Sequence, residues 1–456
     1  MRDLPTHDEA VARLRDALST LPPEAPLRLA KPSSNLFRFG ARDRAPGLPT
    51  EGLDQVLSID ASARTAEVGG LITYDKLVAA TLEHGLMPHV VPQLKTITLG
   101  GAVAGLGIES TSFYAGLPHE SVLEMDVLTG SGELVTAARE GEHAELLRGL
   151  PNSYGTLGYA LRLVIDLLPV KPFVTVRHVR FDDARACFAA MAEICASRVH
   201  DGHPVDFLDG VVFGPDEMYL SVGTFAEEVP YTSDYTGMGV YYKSVRERRV
   251  DHLRVADYLW RWDTDWFWCS AAFGVQNPVV RALWPRQLRR SDVYRKLVAL
   301  DQRHGFTARL DSLRGKRNEF VVQDVEVPIE RAADFLAEFC ANVPIRPIWL
   351  CPLALADSAA WPLYPLAPGE TYVNFGFWAT APLGEGQSGD HHNRYVETLV
   401  DSLGGHKSLY STVHYKRSEF WRHYNGEAYG RLKERYDPRG RFPDLYEKVA
   451  GDHATV

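Results

Sequence analysis

The stretch Thr98-Leu-Gly-Gly-Ala-Val-Ala-Gly-Leu-Gly-Ile-Glu109 sets Gly100, Gly101, Gly105 and Gly107 close together and ends on a carboxylate. Glycine lacks a Cβ and tolerates positive φ, so such a backbone brings its N–H groups within reach of a phosphate. Two upstream segments have the same character. They are Lys31-Pro-Ser-Ser-Asn35, offering Lys31, Ser33, Ser34 and Asn35, and Val68-Gly69-Gly70. Thr96 and Thr98 lead into the loop, and Ile108, Glu109 and Ser110 close it. Together they read as a cradle for a dinucleotide pyrophosphate, with plain turns as the alternative. The parallel-sheet fingerprint is excluded, because no Gly-x-Gly-x-x-Gly precedes a long helix here.

Outward from the loop, Thr6 with Glu9 forms a capping-box pattern ahead of Val11, Leu14, Leu18 and Leu21, so an amphipathic helix opens the chain and Pro22-Pro23 ends it. From Leu27 to Val164, short β-branched runs alternate with glycine turns: Val56–Ile59, Thr65–Val68, Val122–Leu128 and Leu161–Ile165, interrupted by a helix over Tyr74–His84. After Pro169 and Pro172 the order strand, helix, strand, strand occurs twice. The first round runs from Phe173–Phe181 through a helix bearing Ala184, Phe188, Met191 and Cys195 to Phe207–Phe213 and Met218–Val222. The second runs from Phe320–Val327 through Ala332, Phe335, Leu336 and Phe339 to Ile348–Leu350 and Tyr372–Phe377. Two βαββ units predict a central antiparallel sheet with helices on one face, in an α+β chain.

A length of 456 residues calls for at least two cores. The net charge of −10 argues against a surface that tracks nucleic-acid phosphates. Arg281, Arg286, Arg289, Arg290, Arg295 and Lys296 form a local basic run, read as a solvated helix face, with an anionic ligand as the alternative. Five cysteines without a Cys-x-x-Cys pair read as reduced, mostly buried thiols, and no metal site is expected. With no apolar leader and no run of about 18 apolar residues, a cytoplasmic protein is expected, with peripheral attachment to a membrane left open.

The run Pro92-x-x-x-Thr-x-Thr-x-Gly-Gly-Ala-Val-Ala-Gly-x-Gly-Ile-Glu-Ser110, followed by Tyr114-Ala-Gly116, Glu133-Leu-Val135 and Gly155-Thr-Leu-Gly158, resembles the FAD domain of the vanillyl-alcohol-oxidase type. Later segments resemble the Δ24-sterol reductase group within it: Val321-Val-Gln-Asp324, Pro347-Ile-Trp-Leu-Cys-Pro352, Arg417-x-Glu-Phe-Trp421 and Phe442-Pro-x-Leu-Tyr446. The loop Lys31–Arg38 is not theirs, and it resembles that of actinobacterial methylene-fatty-acyl reductases. The resemblance implies a two-part FAD-binding domain over 1–172 and 406–456, with Tyr429–Phe442 returning to it, and a cap over 173–405 that roofs the flavin. It also implies non-covalent FAD held by the loop residues together with Tyr114, Gly116, Gly155, Gly158 and Lys433. Where relatives tether the flavin through His or Cys, this chain has Ser33, Ser34 and Asn35, and His119 near the second loop reads as an ordinary loop histidine.

The activity implied is reduction of an isolated C=C bond in a long-chain lipid, 10-methylene to 10-methyl fatty acyl, with NADPH as electron donor. An isolated alkene has no carbonyl to polarise it, so the site needs an acid that stays protonated and an apolar wall. Candidates for the acid are Glu109, Asp324 and Asp263, then Tyr258 and His414; an arginine partner is the ordinary role for Glu109, and a solvated loop for Asp263 and Asp265. Trp260, Trp262, Trp266 and Trp268 are candidates for an acyl channel or for core. Gln323 is taken to face substrate with Asp324, and Arg261 and Arg417 to hold a phosphate. Two other readings stand beside this one. They are an FAD-dependent oxidase or dehydrogenase of an alcohol or sugar, and a flavin-binding partner of a lipid methyltransferase.

Overall fold

Alternating apolar residues between tight turns build the first sheet. The computed structural model describes residues 5–31, 47–304 and 316–450. Strands β1 (Val56–Asp60), β2 (Thr65–Gly69), β3 (Leu86–Pro88), β4 (Val122–Leu128), β5 (Leu134–Ala138) and β6 (Tyr159–Pro169) assemble in the order β1-β2-β6-β4-β5, with β3 on the end of β6. Helix α1 (His7–Ser19) starts at the expected capping box, where Thr6 accepts from Glu9 N–H and Glu9 returns the bond to Thr6 N–H. Its buried face of Ala10, Leu14 and Leu18 packs with Leu27, Leu29 and Phe442. Helices α2 (Tyr74–Leu82) and α3 (Leu99–Ala104) lie against this sheet, and Thr98 caps α3 by accepting from Gly101 N–H at 3.3 Å.

The second sheet holds β7 (Phe173–Phe181), β10 (Phe207–Gly214), β11 (Glu217–Ala226), β12 (Val250–Arg254), β13 (Asn318–Pro328), β14 (Ile348–Leu353), β15 (Tyr372–Pro382) and β16 (His406–Lys407). The short strands β8 (Val199–His200) and β9 (His203–Pro204) pair separately. The order β12-β7-β11-β10-β14-β15-β13-β16 sets the two βαββ units side by side across the β10–β14 pair, each in the same internal order. Helices Ala184–Ser197, Ala332–Asn342 and His391–Ser402 cover one face. There Val321, Val325, Phe335, Phe339, Phe375 and Phe377 form a core, and each buried aromatic contributes on the order of 2–3 kcal/mol. On the first of these helices the buried positions are Cys187, Phe188, Met191 and Ile194, so the inner face is rotated slightly from the one expected and Cys195 is only half-buried.

The opposite face of the second sheet turns toward the first. One continuous core carries Leu163 and Ile165 of β6 together with Val174, Phe207, Trp349 and Trp378 of the second sheet. Three C-terminal helices, Arg417–His423, Gly426–Tyr436 and Leu445–Ala450, join this core and lie on the side of the first sheet, where Gly130 N–H donates to the Tyr436 carbonyl at 2.8 Å. Cys187, Cys195, Cys269, Cys340 and Cys351 are free thiols. Among the described residues no helix is long and apolar enough to cross a membrane.

Candidate functional site

Between the two sheets lies a cavity of about 460 Å³, within the range of pockets that hold an organic cofactor. Its floor is the glycine-bearing backbone. A Cβ added at Gly70 would stand 1.9 Å from the Ala160 carbonyl, at Gly100 2.7 Å from the Gly70 carbonyl, and at Gly101 2.7 Å from Thr98 Oγ1 and 3.3 Å from Lys31 Nζ. Glycine at 70 and 100 therefore lets the floor backbone pack this closely, and at 101 it leaves room for Thr98 Oγ1 and Lys31 Nζ. Lys31 donates to Thr98 Oγ1 at 3.0 Å, and desolvation lowers its ammonium to about 8. Arg28 and Lys448 also line the wall. A bare backbone edged by three cations suits a pyrophosphate, so the floor residues fit the phosphate end of FAD.

The roof comes from the second sheet and follows strand alternation. On β13, Val321, Val325 and Val327 enter the helix-covered core, so Val322, Asp324 and Glu326 face the cavity side. Asp324 lies opposite Gly376 of β15, and Gly376 lies opposite Trp349 of β14. The missing side chain at Gly376 leaves a slot flanked by a carboxyl and an indole, and a Cβ there would stand 2.5 Å from Asp324 Oδ1 and 2.8 Å from Trp378. Asp324, Trp349 and Trp378 line the cavity with Trp266, Phe267 and Tyr410. The Phe267 and Trp378 rings stack at 4.3 Å, and Trp378 Nε1 donates to the Tyr410 hydroxyl at 2.9 Å.

Asp324 is half-buried by area because one side opens on the cavity. Burial pushes its carboxyl up to about 7, against the downward pull of the Asn374 amide and the Tyr410 hydroxyl. Oδ1 has no hydrogen-bond partner among the described residues. Beside it Ser408 lines the cavity and donates to Glu326 at 2.6 Å, and burial, with Asp324's charge, pushes Glu326 up to about 8. Trp266 and Phe267 reach the cavity from consecutive left-handed positions, φ 45° and 59°, at a strain on the order of 1–3 kcal/mol each. The bonds Trp266 N–H to Asp263 carbonyl (3.1 Å) and Phe267 N–H to Trp262 carbonyl (2.9 Å) hold that turn.

Several expected roles are moved by the structure. Glu109 does not reach the cavity: Arg261 Nη2 donates to Glu109 and to Asp209 at 2.8 Å each, all three being buried. Burial pushes the Glu109 carboxyl up, Arg261 opposes it, and the competing charge of Asp209 adds to the rise. Arg261 is consequently occupied by carboxylates rather than offered to a phosphate. Its guanidinium lies over Tyr258 at 4.0 Å, and Tyr258 donates to Ser110 at 3.2 Å, which places Tyr258 in the same buried cluster. Asp209 also accepts from the Trp262 and Trp349 indoles at 3.1 and 3.3 Å, so this cluster ties the end of the glycine loop to the roof.

Asp263 is buried rather than solvated: it accepts from Ser291 at 2.5 Å and from Lys95 N–H at 3.1 Å, and burial raises its carboxyl. Asp265 is buried against Arg281 at 2.7 Å. Gln323 points the opposite way from Asp324, donating to Asn393 at 2.6 Å beneath the helices, because neighbours on a strand face opposite sides. His414 lies against Asp390 and Arg417 bridges Asp444 and Glu447 at the surface, both outside the cavity wall. Trp262 stacks on Phe267 at 4.8 Å behind the wall, whereas Trp266 lines it.

Of the expected cofactor-binding residues, Lys31, Gly70, Thr98, Gly100, Gly101, Gly107, Ile108, Gly155 and Gly158 line the cavity. Ser33, Ser34 and Asn35 fall outside the described residues. Gly69, Thr96, Gly105, Ser110, Tyr114, Gly116 and Lys433 lie off the wall. Gly69 packs on the Leu53 carbonyl, Gly105 on the Tyr154 ring, and Gly116 adopts φ +71° against the Glu120 carboxyl. Tyr114 lies under Arg198 at 3.8 Å, and Lys433 donates to the Thr156 and Phe442 carbonyls at 2.9 Å. His119 is buried against Trp361 at 4.3 Å, and burial lowers its ring to about 3. Sequence reasoning missed Tyr154, Trp349, Trp378, Ser408 and Tyr410 as wall residues. Period-two alternation through Asp324 and its strand partners carried the signal for Trp349 and Trp378; Tyr410 had none.

Residues 24–138 match the family described as the FAD binding domain. Over 414 residues the chain is 27% identical to the Δ24-sterol reductase of Homo sapiens, covering 87% of this chain and 76% of that protein. The Δ24-sterol reductase of Arabidopsis thaliana is 26% identical over 429 residues, 86% of this chain and 74% of its own. Cytokinin dehydrogenase 7 of Oryza sativa is 30% identical over 151 residues, 33% of this chain and 28% of its own.

Proposed function

We propose that this chain, whose residues 24–138 match an FAD binding domain and which is similar over most of its length to Δ24-sterol reductases, reduces an isolated C=C bond in a long-chain lipid. The substrate favoured is a 10-methylene fatty acyl chain, converted to 10-methyl, with NADPH as electron donor. The observation that carries this reading is Asp324, the only carboxyl among the described residues lining an aromatic-walled cavity. FAD, held non-covalently by the Gly70 and Gly100–Gly101 backbone and Lys31, supplies two-electron chemistry when bound.

The chain's own part is acid catalysis and shielding. With its carboxyl raised to about 7, Asp324 stays protonated in a sizeable fraction of molecules near neutral pH and can deliver that proton to the less substituted alkene carbon. Positive charge then develops at the other carbon, where the π faces of Trp349 and Trp378 favour it. The same aromatic wall excludes water from that charge.

Anaerobic mixing with NADPH, then a methylene-acyl phospholipid, tests the reading. NADPH should bleach the flavin, the alkene should restore it, and the lipid should gain two hydrogens by mass. Bleaching by an alcohol or sugar but not by NADPH would replace it with the oxidase or dehydrogenase reading. Reduction that occurs only when a lipid methyltransferase is added would identify that enzyme as an obligate partner.

A further inference from the structure

Exposed large hydrophobic side chains are gathered on one block of the surface. Of the ten among the described residues, Met238, Val279, Val280, Leu283 and Leu288 belong to it, including the two most exposed, and Leu300 lies on the helix Ser291–His304 that follows. Leu283 is 81% and Val279 69% exposed. Such residues scattered singly need no explanation, whereas a cluster marks a contact surface.

The block is firmly built. Arg281, itself buried, donates to the carbonyls of Gly237 (2.9 Å) and Gly239 (2.7 Å), and Arg289 donates to the Gly237 carbonyl at 2.7 Å. The turn carrying Met238 is thereby strapped to the helix Pro278–Leu283 and the turn Arg286–Leu288 that follows. Arg281 to Asp265 (2.7 Å) and Ser291 to Asp263 (2.5 Å) fasten the block to the segment bearing Trp266 and Phe267 in the cavity roof. The block carrying the apolar surface is thus tied by hydrogen bonds to a segment of the cavity wall.

Charge chooses the occupant. Arg286, Arg290, Arg295 and Lys296 lie among these side chains, while Asp292 and Asp301 are the only acids from 278 to 301, in a chain of net charge −10. Two copies facing each other would bring these basic surfaces together. Arg286 pairs with Asp234, and Arg290 and Lys296 with Asp292, at the surface, where lipid phosphates can compete for them. We propose that this block docks the protein on a bilayer with anionic headgroups, the aliphatic side chains entering the headgroup–acyl boundary and the basic ones meeting phosphate. This goes beyond the reaction proposed above and does not depend on it.

The test is flotation of the FAD-loaded protein with vesicles of phosphatidylglycerol and phosphatidylcholine, or of phosphatidylcholine alone, with size-exclusion chromatography of the same samples. The protein should float with the anionic vesicles, and float less with neutral ones or at high salt. The double variant Val279→Asp, Leu283→Asp should lower partitioning by at least about tenfold. Its FAD content and melting temperature should not change, since both side chains face solvent. Absence of wild-type flotation on anionic vesicles would overturn the proposal, as would flotation unaltered in the double variant. A wild-type dimer that the double variant converts to monomer would overturn it too, assigning the surface to self-association.

Discussion

Asp324 owes its chemistry to position. It stands between Val322 and Glu326 on the cavity face of β13, with no cation paired to it among the described residues and with burial pushing its carboxyl up to about 7. Asp324→Asn is expected to keep FAD and to lower turnover by about 10²–10⁴-fold, measured by single-turnover alkene reduction. Wild-type rate should fall as pH rises through about 7, where the proton is lost. The effect on stability has the same sign. A carboxyl whose folded pKa lies above its ordinary 3.8 opposes folding increasingly as pH climbs toward about 7. Asp324→Asn should therefore gain in melting temperature over wild type under mildly alkaline conditions and not under acidic ones. Gly101→Val tests the floor: its side chain would meet Thr98 Oγ1 and Lys31 Nζ, and the purified protein should lose flavin absorbance while keeping its circular dichroism. Only part of this was readable from the chain. The glycines announced the floor, yet Gln323 and Asp324 were indistinguishable until strand alternation fixed which faces inward. The role of Glu109 depended on Arg261, 152 positions away, which no local pattern reveals.

At the level of elements, two arrangements shape the site: a joint between roof and floor, and a row of strand partners within the roof. One is the buried cluster of Glu109, Arg261 and Asp209, which connects the glycine loop to β10 and, through the Trp349 indole, to β14. Arg261→Met leaves the two carboxyls unpaired in the interior and should cost about 3–5 kcal/mol in denaturant unfolding. The deficit should shrink as pH falls, because Glu109, already pushed up by burial, can take a proton in place of its partner. The other is the row Asp324, Gly376, Trp349 across β13, β15 and β14, which lies wholly within the roof. Gly376→Ala puts a methyl into the slot between carboxyl and indole and should reduce turnover while FAD stays bound, as read by flavin stoichiometry beside the rate. Element type was legible where periodicity was clean, as in β7 and the helix bearing Phe335 and Phe339. It was not legible for β5 or β12, whose apolar faces are short and mixed with polar residues.

Across the whole molecule, two sheets share one core, and the cavity lies where the glycine-rich side of one meets the aromatic side of the other. The repeated βαββ order showed in the sequence, and it yields a sheet with the two halves meeting at β10 and β14. The halves have diverged in chemistry: the first contributes Asp209 to the buried cluster, and the second contributes Asp324 to the cavity wall. Sequence could not show that divergence, since it rests on contacts between units distant in the chain.

Trp266, Trp349 and Trp378 all stand on the cavity wall. An isoalloxazine ring bound there would accept their excitation, so the protein's ultraviolet emission should be dim when loaded and brighten as flavin is stripped. Replacing Trp378 by Phe should shrink that rise. The roof would then serve as a built-in optical gauge of occupancy, readable without added label during titration with cofactor.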